Sequence, residues 1–140
     1  MTRPFPHTLS LPLIAAPMFL LSGPDLVLAA CREGIIGAFP TPNCRTVEAL
    51  EEWLKVISSG YEAMKAGAGG RPVGPWAPTV VTHRTNERCE RDLELLAKYK
   101  APVVITALGS PSRAVDIVHS YGGLVFADVN SLTLAKTRPP

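Results

Sequence analysis

The strongest constraint in this sequence is a repeated alternation. A short apolar run is followed by a polar turn, and then by a stretch with apolar residues three and four apart. The runs are Leu11–Ala16, Ile35–Phe39, Thr79–His83, Val103–Leu108 and Leu124–Val129. Runs that are apolar throughout, rather than at every second residue, imply strands buried on both faces, as in a parallel sheet. The stretches between them carry helix signals. After a turn at Ser22-Gly23-Pro24 one runs from about Asp25 to Glu33 and is closed by Gly34. Thr46 caps a second, whose apolar face is Val47, Leu50, Leu54 and Ile57 with Trp53 beside it, and Glu48, Glu51 and Glu52 lie toward its positive N-terminal end. Asn86 precedes a third over Glu87–Lys100, with Leu93, Leu96 and Ala97 on one face. Ser110 and Pro111 open a fourth that runs to Ser120 and is stopped by Tyr121-Gly122-Gly123. The fold class is therefore α/β, five parallel strands alternating with helices and covered on both faces.

Composition narrows the function classes. The 140 residues are 46% hydrophobic and 19% charged, which suits one globular core, a single domain over 1–140 or part of one. Fourteen basic and 12 acidic residues are scattered along the chain, without the basic stripe a nucleic acid would need. The apolar run from Leu9 to Leu21 is interrupted by Pro12 and Pro17 and is too short for a membrane span, and no signal-peptide pattern precedes it. The three cysteines, Cys31, Cys44 and Cys89, are widely spaced without a CxxC pair, so neither a disulfide framework nor a metal cluster is expected, and a cytoplasmic location is. Residues 66–78, rich in Gly and Pro, read as a flexible loop. They lack the Gly-Lys-Ser/Thr ending of a P-loop.

Two architectures fit the alternation. A five-stranded doubly wound sheet of the flavodoxin type would be complete at this length. An eightfold barrel needs about 250 residues, so about four and a half strand–helix units would make the N-terminal half of a TIM barrel. On this second reading a fifth helix begins at Leu132 and is interrupted, the sequence is expected to be a truncated piece, and the outer strand edges invite self-association.

The words of the sequence favour the barrel. Leu11-Pro12-Leu13-Ile14-Ala15-Ala16-Pro17-Met18 followed by Gly34-Ile35-Ile36-Gly37 resembles the opening of the nitronate monooxygenase family. The resemblance continues through Asn43-Cys44-Arg45-Thr46, Val80-Val81-Thr82-His83-Arg84-Thr85-Asn86, Val103–Gly109 and Val125-Phe126-Ala127-Asp128-Val129, and spans nearly the whole chain. It implies an FMN-dependent barrel that oxidises nitronates with molecular oxygen. Ala16, Pro17 and Met18 match the family's first flavin contact. Thr79 stands where many members have an asparagine that bonds the flavin, Thr106 where the fourth strand meets it, and Asp128 where relatives present a lysine or another polar group. Ligands of such barrels gather at the carboxyl ends of the strands. Of the three histidines only His83 lies at such an end, and it is the one catalytic candidate, whereas His7 and His119 read as surface or packing residues. The family's base follows a Gly-Gly pair that this sequence does not contain before a histidine, and its phosphate grip comes from later Gly-rich loops. Cys44, beside Arg45 but with no histidine near in sequence, is not expected to act as a catalytic thiol.

Overall fold

The computed structural model describes residues 5–136; the Pro-rich first residues and the closing Thr137–Pro140 lie outside it. The elements are β1 (Ile14–Ala15), α1 (Pro24–Arg32), β2 (Ile36–Pro40), α2 (Val47–Gly67), β3 (Trp76–Val81), α3 (Cys89–Lys98), β4 (Val103–Ala107), α4 (Ser112–Ser120), β5 (Leu124–Ala127) and α5 (Leu132–Lys136), with one 3-10 turn at Thr41–Asn43. All four strand pairs are parallel, and the order across the sheet is β1-β2-β3-β4-β5. A flavodoxin-type sheet would place its first strand inside; here β1 is at the edge.

Strand register sorts the side chains. Phe39, Trp76, Val80, Val104 and Val125 belong to one large core with Val27 and Cys31 of α1, Leu50, Leu54 and Ile57 of α2, Leu93 and Leu96 of α3, and Ala114 and Val118 of α4. The opposite parity, Ile36, Ala38, Ala77 and Val103, forms a smaller core against Ile105, Leu124, Phe126 and Leu9, with no helical residue in it. Helices α1–α4 therefore pack on one face of the sheet, as in a half barrel and unlike a doubly wound sheet; the cover on the other face is not helical. The reason is topological: sequential pairing with crossovers of a single hand returns every helix to the same side. What covers the other face is the N-terminal segment. Leu9 packs on it, the Phe5 ring lies 6.2 Å from Phe126, and Ser10 N–H donates to Gly34 O at 2.8 Å.

Other expectations shift by local causes. The first apolar run yields only a two-residue strand, with Leu11, Leu13 and Ile14 exposed, because as the edge strand it has a neighbour on one side alone. Only 68–75 of the expected loop connects elements: α2 continues to Gly67, and Trp76, Ala77 and Pro78 are buried in β3. Pro78 pairs with Phe39 on the β2 side, and pairing with β4 begins at Thr79. Gly74 makes this compact, its N–H donating to Cys31 O at 2.9 Å while a Cβ there would collide with the Ile35 carbonyl. Helix α3 starts at Cys89, later than expected, since Asn86 is used otherwise (below), and α4 starts at Ser112 after Pro111.

Because that collision is with backbone, Gly74→Ala is expected to cost at least about 2 kcal/mol of stability. A urea midpoint that does not move would show that the α2–β3 connection is looser than described.

Candidate functional site

Parallel strands put all their carboxyl ends at one rim, and four loops meet there: Ala16–Gly23, Thr41–Thr46, Thr82–Arg88 and Leu108–Pro111, with Asp128–Ser131 following β5. The first loop is held by the second. Asn43 Oδ1 accepts from Leu20 N–H at 2.9 Å, and its Nδ2 donates to Met18 O at 3.2 Å and Ser22 O at 2.9 Å. Ser22 Oγ in turn accepts from Met18 N–H at 2.9 Å. These bonds hold Leu20 at φ 65°, a left-handed conformation unfavourable for a branched side chain, with two-thirds of that side chain in solvent. Leu108, at φ 57°, repeats the feature on the β4 loop and is equally exposed. The next residue, Gly109, lets this loop approach the Thr82–His83 backbone at a distance that a Cβ would block.

The third loop is anchored by Asn86, whose Nδ2 donates to Val81 O at 2.7 Å and whose Oδ1 accepts from Arg88 N–H at 3.2 Å. It thus closes the turn before α3 rather than capping the helix itself. Arg88 ties α3 to the second loop: Nη1 donates to Cys44 O at 2.7 Å, and Nη2 pairs with the buried Asp92 at 3.0 Å. Its Nε, also buried, has no partner among the described residues. Between the second and third loops lies an open cavity of about 380 Å³, lined by Thr41, Pro42, Arg45, Val81, Asn86 and Arg88, with Asp92 at its base.

The residues expected to contact a flavin are separated by this geometry. Ala16, Pro17 and Met18 lie at the rim after β1, with Ala16 and Met18 exposed and Pro17 partly so. Thr79 pairs in register with Pro40 and Ile105 and so faces away from the helices; it is buried and its hydroxyl has no partner among the described residues. Thr106 pairs with Val80 and Ala127, which places its buried, equally unpartnered hydroxyl on the helix-covered face. Thr106 is not a member of the same surface as Thr79, because neighbouring parities point to opposite sides. Asp128 is exposed beyond β5, its N–H donating to Thr106 O at 2.8 Å, and it does not cap α5; that part falls to Ser131 Oγ, which accepts from Leu134 N–H. His83 is exposed in the third loop, its Nδ1 2.9 Å from Thr85 Oγ1.

All three cysteines are free and buried. Burial pushes the Cys44 thiol up to about 11, outweighing the opposite pull of Arg88, so the sequence expectation of an unreactive thiol has a physical cause. Among the described residues no group of His, Cys, Asp and Glu could hold a metal ion, and no helix is long and apolar enough to cross a membrane. By charge pattern Glu87, Glu90, Arg91, Asp92 and Glu94 read as one solvated helix face, yet Asp92 is buried against Arg88, and Asn43 and Arg88 carried no role in the sequence reading. The only signals were Asn in a Pro-bounded loop and an Arg–Asp pair four apart at a helix start, and both are common in structures without function. No family model and no curated protein matches this chain.

Removing the Asn43 amide strips three hydrogen bonds from the rim, so Asn43→Ala is expected to cost about 2 kcal/mol. Equilibrium urea unfolding checks it. An unchanged midpoint would mean that the first loop holds its shape without the second.

Proposed function

We propose that these five units form the opening arc of an FMN-binding barrel of the nitronate monooxygenase kind. The observation that carries the reading is the sheet itself: sequential parallel order with every core helix on one face, as in a (β/α) barrel wall. The sequence resemblance supplies the chemistry. FMN, when bound, provides the redox centre at which a nitronate is oxidised and oxygen reduced. The chain's part is to bind and orient the flavin ring.

The described residues fit the ring better than the phosphate. The Thr79 hydroxyl, buried on the inner face without a partner, suits a hydrogen bond to a ring heteroatom. The rim after β1 brings Ala16, Pro17 and Met18 to the same end of the sheet, where main chain can approach a flat ligand. His83 and Asp128 stand at that end as exposed polar groups able to face a substrate. Thr106 is left out of this set by its face. A phosphate cradle is not provided by Gly67–Gly74, which precedes β3 and so lies at the opposite end of the strands.

The open edges favour one further form of this reading. Beside β1 and β5 there is room for another parallel arc, from a second copy or from another chain, to complete the wall.

The test is flavin fluorescence quenching by the chain. Riboflavin and FMN are expected to bind with similar affinity, since the ring and not the phosphate is held, and Thr79→Val is expected to weaken both several-fold. The same substitution removes an unsatisfied buried hydroxyl, so it is expected to raise stability by about 1 kcal/mol. Thr106→Val is expected to stabilise similarly while leaving flavin affinity unchanged. Binding of neither flavin, or a more than tenfold preference for FMN, overturns the reading.

A further inference from the structure

The flavin reading uses one end of the sheet. At the other, where residues 68–75 lead into β3, lies a second open cavity of about 390 Å³ that it leaves without a role. Three separate pieces of chain wall it: residues 6–8 of the N-terminal segment, Tyr61 and Lys65 of α2, and the connection after α2. No acidic residue lines it. Arg71 is exposed on this wall, and its side chain makes no ion pair or hydrogen bond among the described residues. Lys65 has one acidic partner, Glu62 at 3.3 Å, with both side chains largely in solvent, and its Nζ lies 5.1 Å from the centre of the Tyr61 ring. Tyr61 is the buried member. It is only 6% exposed, yet its hydroxyl is not sealed in as that of Tyr121 is, and it bonds no described residue. Burial pushes that hydroxyl up to about 12, so it stays protonated and able to donate. His7 is held below its ordinary value, by burial first and then by the charge of Lys65, a sign that Glu62 does not cancel that charge within the cavity. The Thr8 hydroxyl and the Gly70 N–H also bond no described residue.

We infer that this cavity binds the phosphate group of a small organic phosphate. Lys65 and Arg71 supply the charge, and Tyr61, Thr8 and Gly70 supply further donors from three different segments. A tetrahedral head with three terminal oxygens can meet donors arriving from separate directions, whereas a carboxylate presents two oxygens in one plane. The fork of Arg71 suits two of those oxygens, and Lys65 acts as a point charge. The Tyr61 hydroxyl, desolvated on every side but this one, gains most from an anionic acceptor. Pro6, Pro72 and Val73 complete the wall and receive the organic part, and the volume suits a molecule of that size. The bound phosphate is not that of a flavin whose ring lies at the strand carboxyl ends, because this cavity is at the opposite end. The inference stands without flavin and is tested without it.

The experiment is a titration of the full chain with propyl phosphate, inorganic phosphate and acetate in turn, followed by backbone amide NMR shifts and compared with sodium chloride at equal ionic strength. Propyl phosphate is expected to give saturable shifts confined to residues 7–8, 61–65 and 69–73, with dissociation in the millimolar range. Inorganic phosphate is expected to shift the same amides but to bind about threefold more weakly, which separates an organic phosphate from free phosphate, and acetate about tenfold more weakly. Arg71→Gln is expected to weaken propyl phosphate binding about tenfold and Tyr61→Phe, which keeps the ring in place, about fivefold. Glu62→Gln frees Lys65 and is expected to strengthen binding about twofold, a gain that damage to the fold would not produce. Arg84→Gln, in the exposed loop at the opposite end of the strands, is expected to leave affinity unchanged. Shifts no larger than those from chloride, wild-type affinity in Arg71→Gln or Tyr61→Phe, no gain in Glu62→Gln, or acetate or inorganic phosphate binding as tightly as propyl phosphate would each overturn the inference.

Discussion

Everything in this structure rests on the contact between one sheet face and the apolar stripes of four helices. Phe39, Trp76, Val80 and Val104 present a continuous apolar surface, and α2 alone sets Leu50, Leu54 and Ile57 against it with no solvent exposure. At roughly 25 cal/mol per Å² of apolar area, each fully buried Leu, Ile, Phe or Val contributes about 1.5–3 kcal/mol, so this face dominates the favourable side of folding. The opposite face holds a much smaller core, in which Ala38 and Ala77 leave little to bury. The asymmetry means that the helix side can fix the strand register while the inner side keeps polar groups such as Thr79.

The rim inherits its order from that contact. Loops emerging from strands that are locked in register arrive at predictable places, and a few side chains then join them across long sequence distances. Asn43 reaches back to the β1–α1 loop, and Arg88 reaches across to Cys44 O, 44 residues earlier. Both use side-chain-to-backbone bonds, which hold main chain in place without requiring regular structure. An exposed salt bridge such as Lys98–Glu51 on the outer helices joins α3 to α2 as well, but exposed pairs contribute little. The buried side of the Arg88–Asp92 pair has a different role, keeping a guanidinium stationary beside a cavity.

The α/β class, the parallel sheet and the approximate places of β2, β4 and β5 were legible because they depend on local periodicity. Leu50, Leu54 and Ile57 are spaced so that they can only be one helix face, and all three are buried. The one-sided placement of the helices followed from the barrel resemblance and not from the periodicity, because it depends on which strands pair and on the hand of the crossovers, and neither is written in a hydrophobic pattern. Trp76, Ala77 and Pro78 were hidden for another reason: Gly and Pro on either side marked a turn, whereas their actual use is to let β3 start close against β2. Thr79 and Thr106 look alike in sequence, each a threonine in an apolar run, and only the two-residue alternation measured from a known partner separates them. Arg45 and Arg88 could not be brought together before the loops were, since 42 residues and two elements intervene.

The N-terminal segment does for the inner face what the helices do for the outer one. Phe5 and Leu9 stand as a floor beneath it, and Ser10 staples that floor to the residue before the second strand's approach. The helix-free face is thus shielded in part by chain that precedes the first strand, so truncation at Phe5 and Leu9 would bare the Leu124 and Phe126 side chains that the helices never reach.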